Sequence, residues 1–274
     1  MAVDLKFILG IIGNITAICL FTSPIPTFWD IIKKKSVQDF SGIPYVCTLL
    51  NCALWVMYGS PLVEFQMLVV TINAAGCIIE LSYLFIYLLF ATKKIKMKVL
   101  KLLLLVLVAY ISVVVLVLEL VHDKSRRKLI FGTLCVVVTV AMYASPLTVM
   151  SMVIRTRSVE FMPFLLSLFN FINGAVWFGY AFVGQLDIFI AVPNGLGAFS
   201  GIVQLVLYAI YKNATPVKSV VKQQELDAVG ADVKDPDMKP SKPVTHLKDC
   251  IHNSSPFVVD IHDTDLNHED LHGK

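Results

Sequence analysis

Seven stretches of this chain run 17 residues or longer with at most one charged side chain: 7–29, 40–63, 65–92, 102–118, 129–154, 161–186 and 188–211. About 20 apolar residues of helix cross the roughly 30 Å hydrocarbon core of a bilayer. The pattern therefore predicts an all-α membrane protein with seven transmembrane helices. Composition agrees: 57% of residues are hydrophobic and only 16% charged, against about 25% charged in soluble domains. Glu80 alone interrupts the third run, and 102–118 is the shortest.

The first run is longer than the apolar core of a signal peptide and is preceded by both Asp4 and Lys6, so it reads as a retained helix. Cys19, Cys47, Cys52, Cys77, Cys135 and Cys250 show no metal-ligand spacing, and neither a disulfide framework nor a metal site is expected. From residue 213 the composition turns polar, which predicts a disordered tail. His246, His252, His262, His268 and His272 are scattered singly along it. Loop lysines and arginines mark the cytoplasmic side. Lys33, Lys34, Lys35, Lys93, Lys94, Lys96, Lys98, Lys101, Arg155 and Arg157 put the N-terminus outside and the tail inside. Lys124, Arg126, Arg127 and Lys128 oppose that assignment. Asn14, Asn213 and Asn253 open glycosylation sequons, the first inside a helix and the others in cytoplasmic chain, so modification is not expected.

NCALWVMY at 51–58 returns as NGAVWFGY at 173–180, an offset of 122 at Asn, Ala, Trp and Tyr. Ser23-Pro24 and Ser145-Pro146 share that offset, as do Ser36-Val37 and Ser158-Val159, while Asn73, Gly76 and Tyr87 match Asn194, Gly197 and Tyr208 at 121. Two three-helix units are implied, 1–92 and 129–212. An odd number of crossings in each requires one extra crossing to keep them parallel, and the linker helix within 93–128 supplies it, a 3+1+3 plan.

Residues i, i+4 and i+7 share a helix face, so Asn51, Trp55 and Tyr58 align, as do Asn173, Trp177 and Tyr180. An amide in hydrocarbon needs partners and faces a bundle interior or a wet cavity. Two symmetric copies, each with an indole one turn away and a further Asn in the third helix, point to a cavity for a neutral, hydroxyl-rich solute, because amides donate and accept without charge. Glu80 is the one clear carboxylate in the spans, read as a paired structural residue with proton coupling as its alternative. Pro24, Pro44, Pro146 and Pro163 all fall near the cytoplasmic ends of the first two helices of the units, where kinks can act as hinges. Tyr58 and Asp187 meet the outer mouth, where a hydrogen bond between them would close it.

YASPL at 143–147, KSVQDF at 35–40, RSVEFMPF at 157–164, TIN at 71–73 and AVPNG at 191–195 resemble the plant SWEET sugar transporters of the nodulin/saliva family across 5–212. Parallel repeats and midplane sites are a property of that group. The resemblance implies facilitated, alternating-access transport of a sugar without a cofactor, a pocket of Trp55, Trp177, Asn73 and Asn194, a proline tetrad of Pro24, Pro44, Pro146 and Pro163, and an outer gate of Tyr58 with Asp187. Sucrose-preferring members tend to line the pocket with small residues where this chain has Leu20, Asn51, Met142 and Asn173. A tighter pocket implies a hexose such as glucose, with sucrose as the alternative. Leu62 stands where many sucrose-type members have a lysine. The resemblance also implies a homo-oligomer, in the plasma membrane with the vacuolar membrane as the alternative.

A seven-helix receptor is the competing class, but a three-helix duplication is foreign to it and no Asp-Arg-Tyr ends a helix. No lysine lies in the last span for a retinal Schiff base, no nucleophile-base pair or phosphate loop suggests an enzyme, and a net charge of +3 carried by loop lysines suggests no nucleic acid.

Overall fold

Without water to bond, each apolar run closes its own backbone ladder as a helix. The computed structural model describes residues 2–214. Among them lie nine helical segments: α1 (Ala2–Phe21), α2 (Ile25–Lys34), α3 (Ile43–Tyr58), α4 (Met67–Phe90), α5 (Lys93–Leu120), α6 (Lys124–Met142), α7 (Ala144–Thr156), α8 (Phe164–Phe182) and α9 (Ile188–Tyr211). α1 with α2, and α6 with α7, are the halves of two interrupted spans, so the chain crosses seven times. Six spans are long and apolar enough by themselves, while α3 has only 16 residues. The tail beyond 214, with Cys250, its histidines and Asn253, lies outside the described residues.

The shortest apolar run in the sequence belongs to the longest unbroken helix. α5 extends back through Lys93–Lys101 to 28 residues, because lysine resists burial in lipid but propagates a helix well. α6 starts at Lys124, inside the segment assigned to the linker, because the Asp123 carboxylate accepts from the Arg126 N–H and caps it. Three of the four basic residues that opposed the topology are held by specific partners. Arg127 donates to the Leu118 and Val121 carbonyls left open at the end of α5 and to Leu62, Lys124 donates to Pro61, and Lys128 pairs with Glu64. Their charge stabilises a helix end and a loop.

The repeat is geometric as well as textual. Lys35 and Arg157, 122 apart, both end their helices in the left-handed region at φ 50° and 52°. Each is followed by a serine whose Oγ accepts from the N–H two residues on, Ser36 from Gln38 and Ser158 from Glu160. The Lys/Arg-Ser-Val signature is thus a helix stop and turn.

In the first unit α4 packs on both α1 and α3; in the second α9 packs on α6, α7 and α8. Across the units α1 meets α8 and α3 meets α6, which closes a ring of six spans. α5 lies outside the ring against α3, with the Tyr110 hydroxyl donating to the Ala53 carbonyl. At the end carrying the N-terminus, Trp55, Tyr58, Val69, Phe131, Trp177, Tyr180 and Ile190 belong to one core shared by both units. At the opposite end the core divides: Phe28, Ile31, Val46, Tyr83 and Tyr87 pack within the first unit, Met150, Val153 and Met162 within the second.

Candidate functional site

Hydrogen bonds across the ring explain the repeated Asn-x-x-x-Trp. Asn51 and Trp55 sit one turn apart on α3, and Thr139 of α6 joins them: the Trp55 indole N–H donates to Thr139 Oγ1 at 3.3 Å, and that hydroxyl donates to Asn51 Oδ1 at 2.8 Å. On the other side Thr16 of α1 lies 3.0 Å from Asn173 Oδ1 on α8. The Trp177 ring packs on α1 at Gly13, where a Cβ would stand 2.7 Å from the indole. Both tryptophans are buried, at 7% exposed. Each makes an edge contact with the tyrosine three residues on, Trp55 with Tyr58 at 5.4 Å and Trp177 with Tyr180 at 5.1 Å.

Asn73 on α4 and Asn194 on α9 are half-buried and alike in detail. Each Nδ2 donates to the carbonyl four residues back, Val69 at 2.9 Å and Ile190 at 2.8 Å. That bond orients the amide and leaves its carbonyl and second N–H available to hydroxyls of a solute. Leu20 and Met142, also 122 apart, are both half-buried near the ends of α1 and α6.

At the end carrying the N-terminus, the Tyr58 hydroxyl lies 2.7 Å from both oxygens of Asp187. Asp187 is 4% exposed. It accepts further from Gln66 Nε2 at 2.9 Å and from the N–H groups of Phe189 and Ile190, which it caps at the start of α9, and it lies 3.6 Å from Lys128 Nζ. A recess of about 280 Å³ opens over this cluster, lined by Lys6, Glu64, Gln66, Lys128, Gln185 and Asp187 among others.

The prolines fall into two kinds. Pro24 closes the turn that separates α1 from α2, and Pro146 is the third residue of α7, just past the break at Tyr143. Pro44 lies in the first turn of α3 and Pro163 is the cap residue of α8. Proline costs little there, since those N–H groups have no intrahelical partner. Interruption is thus concentrated at Pro24 and Pro146, and Pro44 and Pro163 sit exposed at helix starts. Beside each interruption an aromatic ring plugs the third helix. Phe21 meets Gly76 and Tyr143 meets Gly197, with the Tyr143 hydroxyl donating to the Pro193 carbonyl at 2.7 Å.

Glu80 departs from the expected pairing. It is 3% exposed, one carboxyl oxygen has no hydrogen-bond partner, and no basic residue among the described residues lies within ion-pair distance. Sequence reasoning passed over Thr16, Thr139 and Gln66, and read Lys128 only as a loop charge. The threonines stand 123 apart, one residue off the repeat register, and a helical threonine can satisfy its own hydroxyl on a preceding carbonyl, so nothing local announced a cross-helix role. Asn14, the sequon residue inside α1, donates to Gly10 and Leu68 carbonyls and ties α1 to α4.

The profile of a family described as sugar efflux transporters for intercellular exchange matches the chain twice, over residues 7–95 and 129–216, once on each three-helix unit. A rice (Oryza sativa subsp. indica) protein named bidirectional sugar transporter SWEET7b is 49% identical over 232 residues, covering 84% of this chain and 86% of its own length. Rice SWEET4 is 46% identical over 223 residues, covering 81% and 86%. The solved structure of a eukaryotic SWEET transporter superposes with a TM-score of 0.73 at 40% identity, covering 76% of this chain and 97% of that one.

Proposed function

The chain belongs to the SWEET family of bidirectional sugar transporters, and on that footing we propose that it carries a neutral hexose such as glucose by facilitated uniport with alternating access. One observation supports this most: the two units share a core at one end of the ring and have separate cores at the other. A molecule joined at one mouth and divided at the other is one of the two states that a rocking carrier needs.

In this reading Trp55 and Trp177 hold the sugar ring, Asn73 and Asn194 orient its hydroxyls, and Asn51, Asn173, Leu20 and Met142 set the width of the chamber. Tyr58 and Asp187 form the closed gate, and Pro24 and Pro146, with Pro44 and Pro163 at the helix starts below, let the divided mouth close. Nothing in this mechanism is catalysed. No paired charge among the described residues lies near the amides, which suits an uncharged solute, because an ion would have to leave water for unionised partners. The same proposal has the N-terminus outside and the tail in the cytoplasm, in the plasma membrane, and, as the family resemblance implies, a homo-oligomer.

The deciding experiment is uptake of labelled glucose into proteoliposomes, challenged with galactose, fructose and sucrose and repeated with a protonophore. Glucose flux inhibited by hexoses and indifferent to the protonophore is expected. Stronger competition by sucrose would reassign the substrate, and abolition by the protonophore would overturn uniport.

A further inference from the structure

The five lysines that open α5 have no structural occupation. The ammonium groups of Lys93, Lys94, Lys96, Lys98 and Lys101 find no hydrogen-bond or ion-pair partner among the described residues, in contrast to the side chains of Lys124, Arg127 and Lys128 at the other end of the ring, each of which is bound. Nor does their charge favour the helix start, since positive charge there opposes the backbone dipole. At 100° per residue Lys94, Lys98 and Lys101 fall within an arc of about 60°, and all three are exposed. The buried side lies roughly 100° round. There Val99 is 5% exposed and packs with Ile95, Leu102 and Val106 on the first unit.

Beyond Lys101 the helix is apolar to Leu118 and uncovered along one face: Leu104, Leu105, Val108, Leu116 and Leu120 are exposed, and Val99 is the one buried residue of the helix. The lysine face therefore continues directly into a lipid-facing surface, at the depth where an apolar span meets headgroups. We infer that Lys94, Lys98 and Lys101 form a binding site for the headgroups of anionic phospholipids, with the acyl chains lying along the exposed face of α5. The charge is complementary, and the uncovered apolar face selects a lipid over a free phosphate.

The site adjoins the divided mouth. Val99, one residue from Lys98, presses on the loop that leads into α3 and Pro44: a Cβ added at Gly42 would stand 3.1 Å from Val99 Cγ2, and the Tyr87 hydroxyl, in the same cluster, donates to the Phe40 carbonyl at 2.7 Å. A headgroup held here fixes α5 against that loop.

The full chain is purified and mixed with phosphatidylcholine and phosphatidylglycerol in equal parts, and the lipids it retains are counted by native mass spectrometry. Preferential retention of phosphatidylglycerol is expected, together with a Tm raised by phosphatidylglycerol. Lys94→Gln/Lys98→Gln/Lys101→Gln should cut the preference roughly tenfold or more, since each lysine near an anionic surface is worth about fivefold, while Lys→Arg at the same positions keeps it. Added salt should weaken it. Equal retention of the two lipids by the unsubstituted chain, or an undiminished preference in the glutamine variant, would overturn the site. None of these readouts depends on which sugar is carried.

Discussion

Thr139 carries more than its sequence context suggests. It accepts from one of the paired indoles and donates to the neighbouring amide, so a single hydroxyl ties α3 of one unit to α6 of the other. Thr139→Val keeps the shape and leaves both groups unpartnered. Interhelical hydrogen bonds in membranes average about 0.6 kcal/mol and reach about 1.7, so a loss of about 1 kcal/mol is expected in detergent unfolding, with Thr139→Ser close to the parent. Asn73 and Asn194 bond only within their own helices. Asn73→Ala or Asn194→Ala should therefore reduce glucose flux at least tenfold with little change in unfolding midpoint. Near-normal flux in both would place the pocket elsewhere. Glu80→Gln should leave flux and its indifference to a protonophore unchanged, because its partnerless carboxyl is buried in α4 of the first unit.

Among the elements, the interrupted spans are the moving parts of the proposed mechanism. α1/α2 and α6/α7 each break beside a proline, and at each break an aromatic side chain rests on a glycine of the third helix. Those glycines are required by space: a Cβ at Gly197 would lie 2.6 Å from the Tyr143 hydroxyl, and one at Gly76 would lie 2.7 Å from Phe21. Gly197→Ala should displace Tyr143, break its bond to the Pro193 carbonyl and slow exchange between the two states. The expected result is a several-fold drop in maximal flux with a smaller change in KM. Normal flux in this variant would show that the ring slides freely on the helix and that the contact is packing alone.

At the scale of the whole molecule, the proposed mechanism sets the balance between states where the units are joined. Tyr58, Gln66 and Lys128 converge on Asp187, which also caps α9. Removing one partner of a fully buried ion pair costs about 3–5 kcal/mol. Lys128→Met should cost less, about 1–2 kcal/mol by that measure, because Glu64 is half exposed and Asp187 retains its other donors. That cost falls only on the state in which the mouth is closed. Spin labels at Leu62 and Gln185 should show a longer-distance population gaining on the closed one in Lys128→Met and in Tyr58→Phe. An unchanged distance distribution would remove this cluster from the gate.

The sequence by itself determined the class of molecule, the crossing count and the duplication. Apolar run length reads directly as helix, and a polar residue repeated at a fixed offset inside hydrocarbon is too costly to stand there without a partner. It also placed Tyr58 and Asp187 at one mouth, since both fall at the ends of spans. It misjudged the reach of α5, because hydropathy measures burial in lipid while helix length depends on backbone propagation and caps. It missed Thr16, Thr139 and Gln66 and the contacts of Lys128, because their partners lie far along the chain and the backbone can satisfy the two threonines. Which helices face each other across the ring, α1 with α8 and α3 with α6, was decided only by the tertiary structure. In lipid every apolar face is equally content. Choice among faces falls to close packing at small residues and to a few hydrogen bonds, and those exist only once the helices have met.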